Sequence, residues 1–166
     1  MDLQTQVLST HASSLVEEAL RKFGKIRIQA AGSSMLPSIR PGDILTVHRR
    51  DMTQVSKGDI VLFIRKNRLY VHRVEEKKFS GSNCRALITR GDSLLKRDTP
   101  ISSGELLGRV TSISRGRRHI LPRPTLSASE RMISSALRHF DWPAKNLLRL
   151  VWRIGRHRAA HRDHHR

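Results

Sequence analysis

The chain has 166 residues, 37% hydrophobic and only 4% aromatic, and its 32 Lys and Arg against 14 Asp and Glu give a formal charge of +18. That length suits one core of ordinary size with polar extensions, and the charge asks for an acidic partner: nucleic acid, anionic lipid or an acidic protein. The single cysteine, Cys84, excludes an internal disulfide framework, and the longest clean apolar run, Ile60 to Ile64, falls far short of the roughly eighteen residues that cross a bilayer.

The first thirty residues lack the apolar stretch of a secretory signal, and Glu17 and Glu18 argue against a transit peptide. The expectation is a protein that is cytoplasmic or peripheral on a membrane. Residues 14 to 24 read as a helix: Ser14 and Glu17 are spaced as a capping box, Val16, Leu20 and Phe23 share a face, and Gly24 stops it. Ile26, Ile28 and Ala30 then alternate with polar residues, as in a half-buried strand.

That strand delivers the chain to Gly32-Ser-Ser-Met-Leu-Pro-Ser-Ile-Arg-Pro-Gly-Asp43. Pro37 and Pro41 fix φ, and Gly32 and Gly42 permit φ values that other residues resist. A serine between such restrictions presents its hydroxyl at a defined angle, which makes Ser34 a candidate nucleophile. The same composition also describes a plain turn-rich loop.

Ile44 to His48 reads as a strand and Asp51 to Lys57 as a polar loop. Strands over Ile60 to Arg65 and Arg68 to Val74, joined at Lys66-Asn67, predict a hairpin with Tyr70, His72 and Val74 on one face and Leu69, Val71 and Arg73 on the other. His72 is a candidate base or a strand histidine with one structural hydrogen bond. Glu75 to Asn83 reads as a solvent loop, followed by a strand near Arg85 to Thr89, a Gly91-Asp92 turn and a last strand near Leu106 to Ile113. Short strands with Gly and Asp punctuation predict a mainly β fold, a small coiled barrel or sandwich.

Beyond Pro122 the composition shifts to ten Lys and Arg against three acids. Ser127-Ala-Ser-Glu130 is a capping box for a helix with Ile133, Leu137 and Phe140 in line, and Asp141-Trp-Pro143 opens a second helix. Such basic amphipathic stripes suit an anionic membrane surface, or pack inward with their arginines solvated. His157, His161, His164 and His165 could meet a metal only on a helix and without evident partners, so no metal is assigned and the tail reads as a cationic end. The organisation expected is an N-terminal helix (1–25), a β domain (26–121) and a basic helical tail (122–166).

Four blocks follow one another in order: the serine stretch, Gly58-Asp-Ile-Val-Leu-Phe63, Tyr70-Val-His-Arg-Val74 and Thr89-Arg-Gly-Asp-Ser-Leu-Leu-Lys-Arg-Asp98. Over roughly residues 28 to 113 they resemble the type I signal peptidase superfamily, and most nearly its endoplasmic-reticulum and archaeal branch, whose base is a histidine. The resemblance implies a serine endopeptidase that cleaves signal or leader segments from protein precursors without a cofactor. It casts Ser34 as nucleophile, His72 as general base, and Asp98, with Asp92 in support, as the acid behind it. It places Gly32 where bacterial relatives carry an oxyanion serine, leaving backbone N–H groups at Ser34 and Ser33 for that task. Met35, Pro37 and Ile39 would border a cleft for small side chains. The expected missing span ahead of the serine departs from that family.

Two rivals remain. Self-cleaving repressors share the Ser-Met-x-Pro fold, but they carry a helix-turn-helix and a lysine base, and one helix in the first 25 residues is too little for DNA binding. A catalytically idle binding module of the same fold would use only the β domain and the basic tail.

Overall fold

The computed structural model describes residues 3–139, as helix α1 (Leu3–Phe23), strands β1 (Lys25–Gln29), β2 (Ile44–His48), β3 (Ile60–Arg65), β4 (Arg68–Ser80), β5 (Asn83–Arg90), β6 (Leu106–Arg115) and β7 (Arg118–Ile120), and helix α2 (Ala128–His139). The strands form one seven-stranded sheet of order β1-β2-β6-β3-β4-β5, with β7 hydrogen-bonded to β6. Every pairing is antiparallel. The protein is mainly β, as its punctuation suggests. Among the described residues, no helix is long and apolar enough to cross a membrane.

β3 explains the core. Its run Ile60-Val-Leu-Phe63 is buried throughout, because alternate side chains feed two different clusters. Ile60 and Leu62 join Leu20 of α1, Met35 and Ile39 of the serine stretch, and Leu45, Val47, Val110 and Ile113. Val61 and Phe63 join Met52, Val55, Val74, Leu87, Ile101 and Leu106 on the other side. Met35, Leu36 and Ile39 are all nearly inaccessible. Each such side chain contributes about 1.5–3 kcal/mol on burial, so the serine loop is anchored in the first cluster rather than draped over it.

Several local expectations differ from the structure. α1 begins at Leu3, so Ser14 lies inside the helix instead of capping it, and Phe23 is exposed while Val16 and Leu20 face the core. The segment 51–57 is not wholly polar, since a short 3₁₀ turn at Met52–Gln54 sends Met52 and Val55 inward. Glu75 to Asn83 is not a loop. β4 continues to Ser80 and pairs with β5 from Asn83, leaving only a two-residue connection. The expected turn at Lys66-Asn67 is present, with φ of 49° and 57°, the left-handed pair that suits a two-residue hairpin.

α2 opens with the Ser127–Glu130 capping box: the Ser127 N–H donates to Glu130 Oε2 at 2.8 Å and the Glu130 N–H to Ser127 Oγ at 3.3 Å. Its inner face is Ser134 and Leu137, whereas Ile133, in line with Leu137 in the sequence, is 49% exposed. Phe140, the second helix expected from Asp141 and the histidine-rich tail lie outside the described residues.

Candidate active site

Ser34 sits in the turn between β1 and β2, His72 on β4, and Asp98 in the loop after β5. The fold brings all three together. His72 Nε2 lies 3.1 Å from Ser34 Oγ, and His72 Nδ1 lies 2.6 Å from Asp98 Oδ2. A carboxylate only accepts, so Nδ1 carries the proton, and the neutral ring presents Nε2 as acceptor to the serine hydroxyl. The ring is buried and packs edge-on against Phe63 at 5.9 Å and beside Tyr70 at 6.1 Å. These contacts fix its plane.

Asp98 is positioned as deliberately as the ring it supports. Thr89 Oγ1 donates to Asp98 Oδ2 at 2.6 Å, and the Asp98 N–H donates to the Thr89 carbonyl at 2.8 Å. Burial pushes the Asp98 carboxyl up, but hydrogen bonds from His72 and Thr89, with the charge of Arg65, outweigh it and hold the pKa below the ordinary value. Arg65 also ties the loop down: its guanidinium donates to the Thr99 carbonyl at 3.0 Å, the Pro100 carbonyl at 2.9 Å and Glu105 Oε1 at 2.7 Å.

Asp92 does not reach the imidazole. Its carboxylate is gripped by Arg73, with Nε and Nη2 each 2.8 Å away, and accepts from the Ser38 hydroxyl. The Arg73–Asp92 pair, a half-buried guanidinium on a buried carboxylate, ties β4 to the Gly91–Ser93 turn, and Ser38 ties that turn to the serine loop. Asp92 is therefore a brace, in place of the second orienting acid the sequence allowed.

The sequence did not single out the rest of the brace. The Ser93 N–H donates to the Ser34 carbonyl at 2.9 Å, and the Ser93 hydroxyl spans the Ser33 and Ser34 carbonyls at 2.9 and 3.0 Å. A Cβ on Gly91 would stand 2.6 Å from the Ser34 carbonyl oxygen, so only glycine lets the turn come this close. The Gly-Asp-Ser block was the available signal, but nothing in its spacing says which backbone atoms it meets.

A cleft of about 380 Å³ opens at Ser34, lined by Ile28 to Gly32 on one side and Leu69, Tyr70 and Val71 on the other, with Met35, Ile39, Leu45 and Leu62 as its floor. Pro37, expected at the cleft, does not line it, and neither does Ser33. Gly32 does line it, without a left-handed φ, and a Cβ there would meet nothing within 4 Å. The conformational reason inferred for Gly32 is thus absent. β1 pairs only with β2, and β4 pairs with β5 only from Arg73 onward. Both walls of the cleft therefore offer backbone edges.

A hydroxyl backed by an imidazole backed by a carboxylate, beside an apolar cleft with open strand edges, is an arrangement of the serine peptidase kind. The sequence profile of the Peptidase S24-like family matches residues 10–111, more than half of the chain, and the protein belongs to that family. The family lies in the superfamily that holds both self-cleaving repressors and signal peptidases. A search among curated proteins found no match.

Proposed function

We propose that the protein is a serine endopeptidase that removes a signal or leader segment from a protein or peptide precursor, in the manner of the histidine-based branch of the signal peptidases. The observation that carries this reading is the Ser34–His72–Asp98 relay, at 3.1 and 2.6 Å, opening on the apolar cleft. Ser34 Oγ attacks the scissile carbonyl carbon while His72 Nε2 takes its proton, and the resulting imidazolium is stabilised by Asp98. The oxyanion is met by the backbone N–H of Ser34. His72 then gives its proton to the leaving amine, and a water deprotonated by the same nitrogen releases the acyl group from Ser34.

The substrate is read as an extended strand. Its backbone would pair with the open edges of β1 and β4, and its side chains near the cut would enter a cleft floored by Met35 and Ile39, which favours small apolar groups. The basic stretch from Pro122 to Arg166 is the part that would meet an anionic membrane surface.

The test is mass spectrometry of a panel of signal- and leader-bearing peptides incubated with the protein, with Ser34→Ala and with His72→Ala, each with and without anionic vesicles. Cleavage by the wild type, lost by about 10⁴-fold or more in both variants, is expected. Fragments of the chain itself, again absent from the Ser34→Ala variant, would favour a self-cleaving regulator. Intact peptides and intact protein in every arm, from a folded sample, would leave the binding-module reading ahead.

A further inference from the structure

A second cleft, of about 680 Å³, lies between β4–β5 and the segment that leads into α2. Its walls carry six cations, Lys57, Arg73, Arg90, Arg97, Arg131 and Arg138, against one carboxylate, Glu75. Glu75 holds Arg90 at 2.5 Å and Arg97 at 2.7 Å, and Asp92 holds Arg73. These pairs fix the three guanidiniums without neutralising the cleft. Among the described residues, Lys57, Arg131 and Arg138 have no carboxylate partner.

The cleft is a packed feature of the fold. A Cβ on Gly58 would fall 2.5 Å from the Pro124 carbonyl oxygen, which shows how tightly the lead-in to α2 is seated. Arg73 donates to the Gly58 and Arg123 carbonyls, and Ser134 and Arg138 of α2 both donate to the Asp92 carbonyl. Concentrating six cations in one concavity raises their mutual repulsion, a cost that a bound anion removes. The volume suits a small molecule. Arginine forks match tetrahedral oxyanions, and the unmatched charge exceeds what a single carboxylate supplies.

We propose that this cleft is a binding site for a phosphate-bearing small ligand carrying two or more negative charges, either free or as the head group of an acidic phospholipid. It is separate from the Ser34 cleft, and its test does not depend on peptidase activity. It shares a wall with the brace, because the Asp92 carbonyl that α2 grips is followed by the Ser93 that holds Ser34.

Calorimetric titration of the full chain with pyrophosphate at low salt tests the site. Lys57→Gln combined with Arg131→Gln should weaken binding about tenfold or more. Arg117→Gln combined with Arg118→Gln removes the same charge from the exposed β6–β7 turn and the exposed first residue of β7 and should leave binding within about twofold if local contacts dominate. No pyrophosphate binding by the wild type, or equal weakening by both pairs, would overturn the proposal, the latter by showing only general attraction to a +18 chain. Vesicles containing cardiolipin, whose head group carries two ionised phosphates, that displace pyrophosphate where phosphatidylcholine does not, would assign the site to a lipid head group. Pyrophosphate binding that such vesicles leave untouched would assign it to a free ligand.

Discussion

The Gly91–Ser93 turn has two sides, and they are built on opposite rules. On the Ser34 side the polar side chains and carbonyls are paired in series: hydroxyl to imidazole, imidazole to carboxylate, carboxylate to threonine, backbone carbonyls to Ser93. On the α2 side, cations outnumber carboxylates. A closed network of hydrogen bonds fixes one geometry, as a reacting serine requires. An excess of like charge stays poised for something from outside. The turn joins the closed network proposed to be catalytic to the cationic cleft proposed to take an anion.

The largest break in this contrast comes from the paired side. Asp98→Asn should lower peptide cleavage by about 10²- to 10⁴-fold with little change in thermal midpoint, because the amide can present its NH₂ to Nδ1 and favour the wrong tautomer. Steady-state kinetics alongside thermal melts would check it. A loss confined to KM would count against a role for Asp98 behind the base.

Next comes the shared wall. Gly91→Ala puts a methyl into the Ser34 carbonyl and should cost about 1–3 kcal/mol in denaturant stability as the crowded atoms shift. It should also displace the nucleophile and lower activity more than that stability loss explains. Gly104→Ala, at a glycine where a Cβ would meet nothing within 4 Å, is the matched control and should be near neutral in both readouts.

A smaller effect sharpens the cleft side. Gly32→Ser adds a hydroxyl beside Ser34 in open space, and is expected to fold normally and to raise kcat by up to about tenfold if the new group donates to the oxyanion, less than the 10²–10³-fold lost when an optimised donor is removed. An unchanged kcat would show that the backbone N–H of Ser34 already suffices or that the serine rotamer turns away.

The last prediction concerns acid. The Arg65 hydrogen bond to Glu105, with the Ser102 N–H and hydroxyl and against some opposing burial, holds the Glu105 carboxyl at about 2, below its ordinary 4.5. A lowered carboxylate pKa stabilises the fold fully above the ordinary value and loses that contribution as pH falls toward the folded one. Wild type should therefore lose stability between about pH 4.5 and 2 more steeply than Glu105→Gln, as read by urea midpoints across that window. Because Arg65 also grips Thr99 and Pro100 beside Asp98, the same acid range should loosen the Asp98 loop. Identical slopes would show that the ion pair is too exposed to matter.

What could be read in the sequence follows what each residue senses locally. The Ile60–Arg65 and Arg68–Val74 hairpin was legible because Lys66-Asn67 and the flanking alternation act over a few residues. Ser34, His72 and Asp98 were legible through four ordered blocks and not through any one residue. The β4–β5 extension was hidden because Glu75, Glu76, Lys77 and Lys78 look like loop residues. Past Arg73 the strand leaves β3 and pairs only with β5, so its outer half faces solvent and needs no apolar pattern. Asp92 and Asp98 could not be told apart by spacing, because the difference is which partner the fold brings: Arg73 to one, His72 to the other. The basic cleft was spread over Lys57, β4, β5 and α2, and only packing assembles it.

The central claim is that Ser34 forms the covalent bond. Intact-mass spectrometry of acid-quenched reactions with an activated ester of a cleaved peptide tests it most directly. The account predicts an acyl adduct that maps to the fragment containing Ser34 and is absent from Ser34→Ala. Hydrolysis that persists in Ser34→Ala, or an adduct carried by another residue, would contradict it.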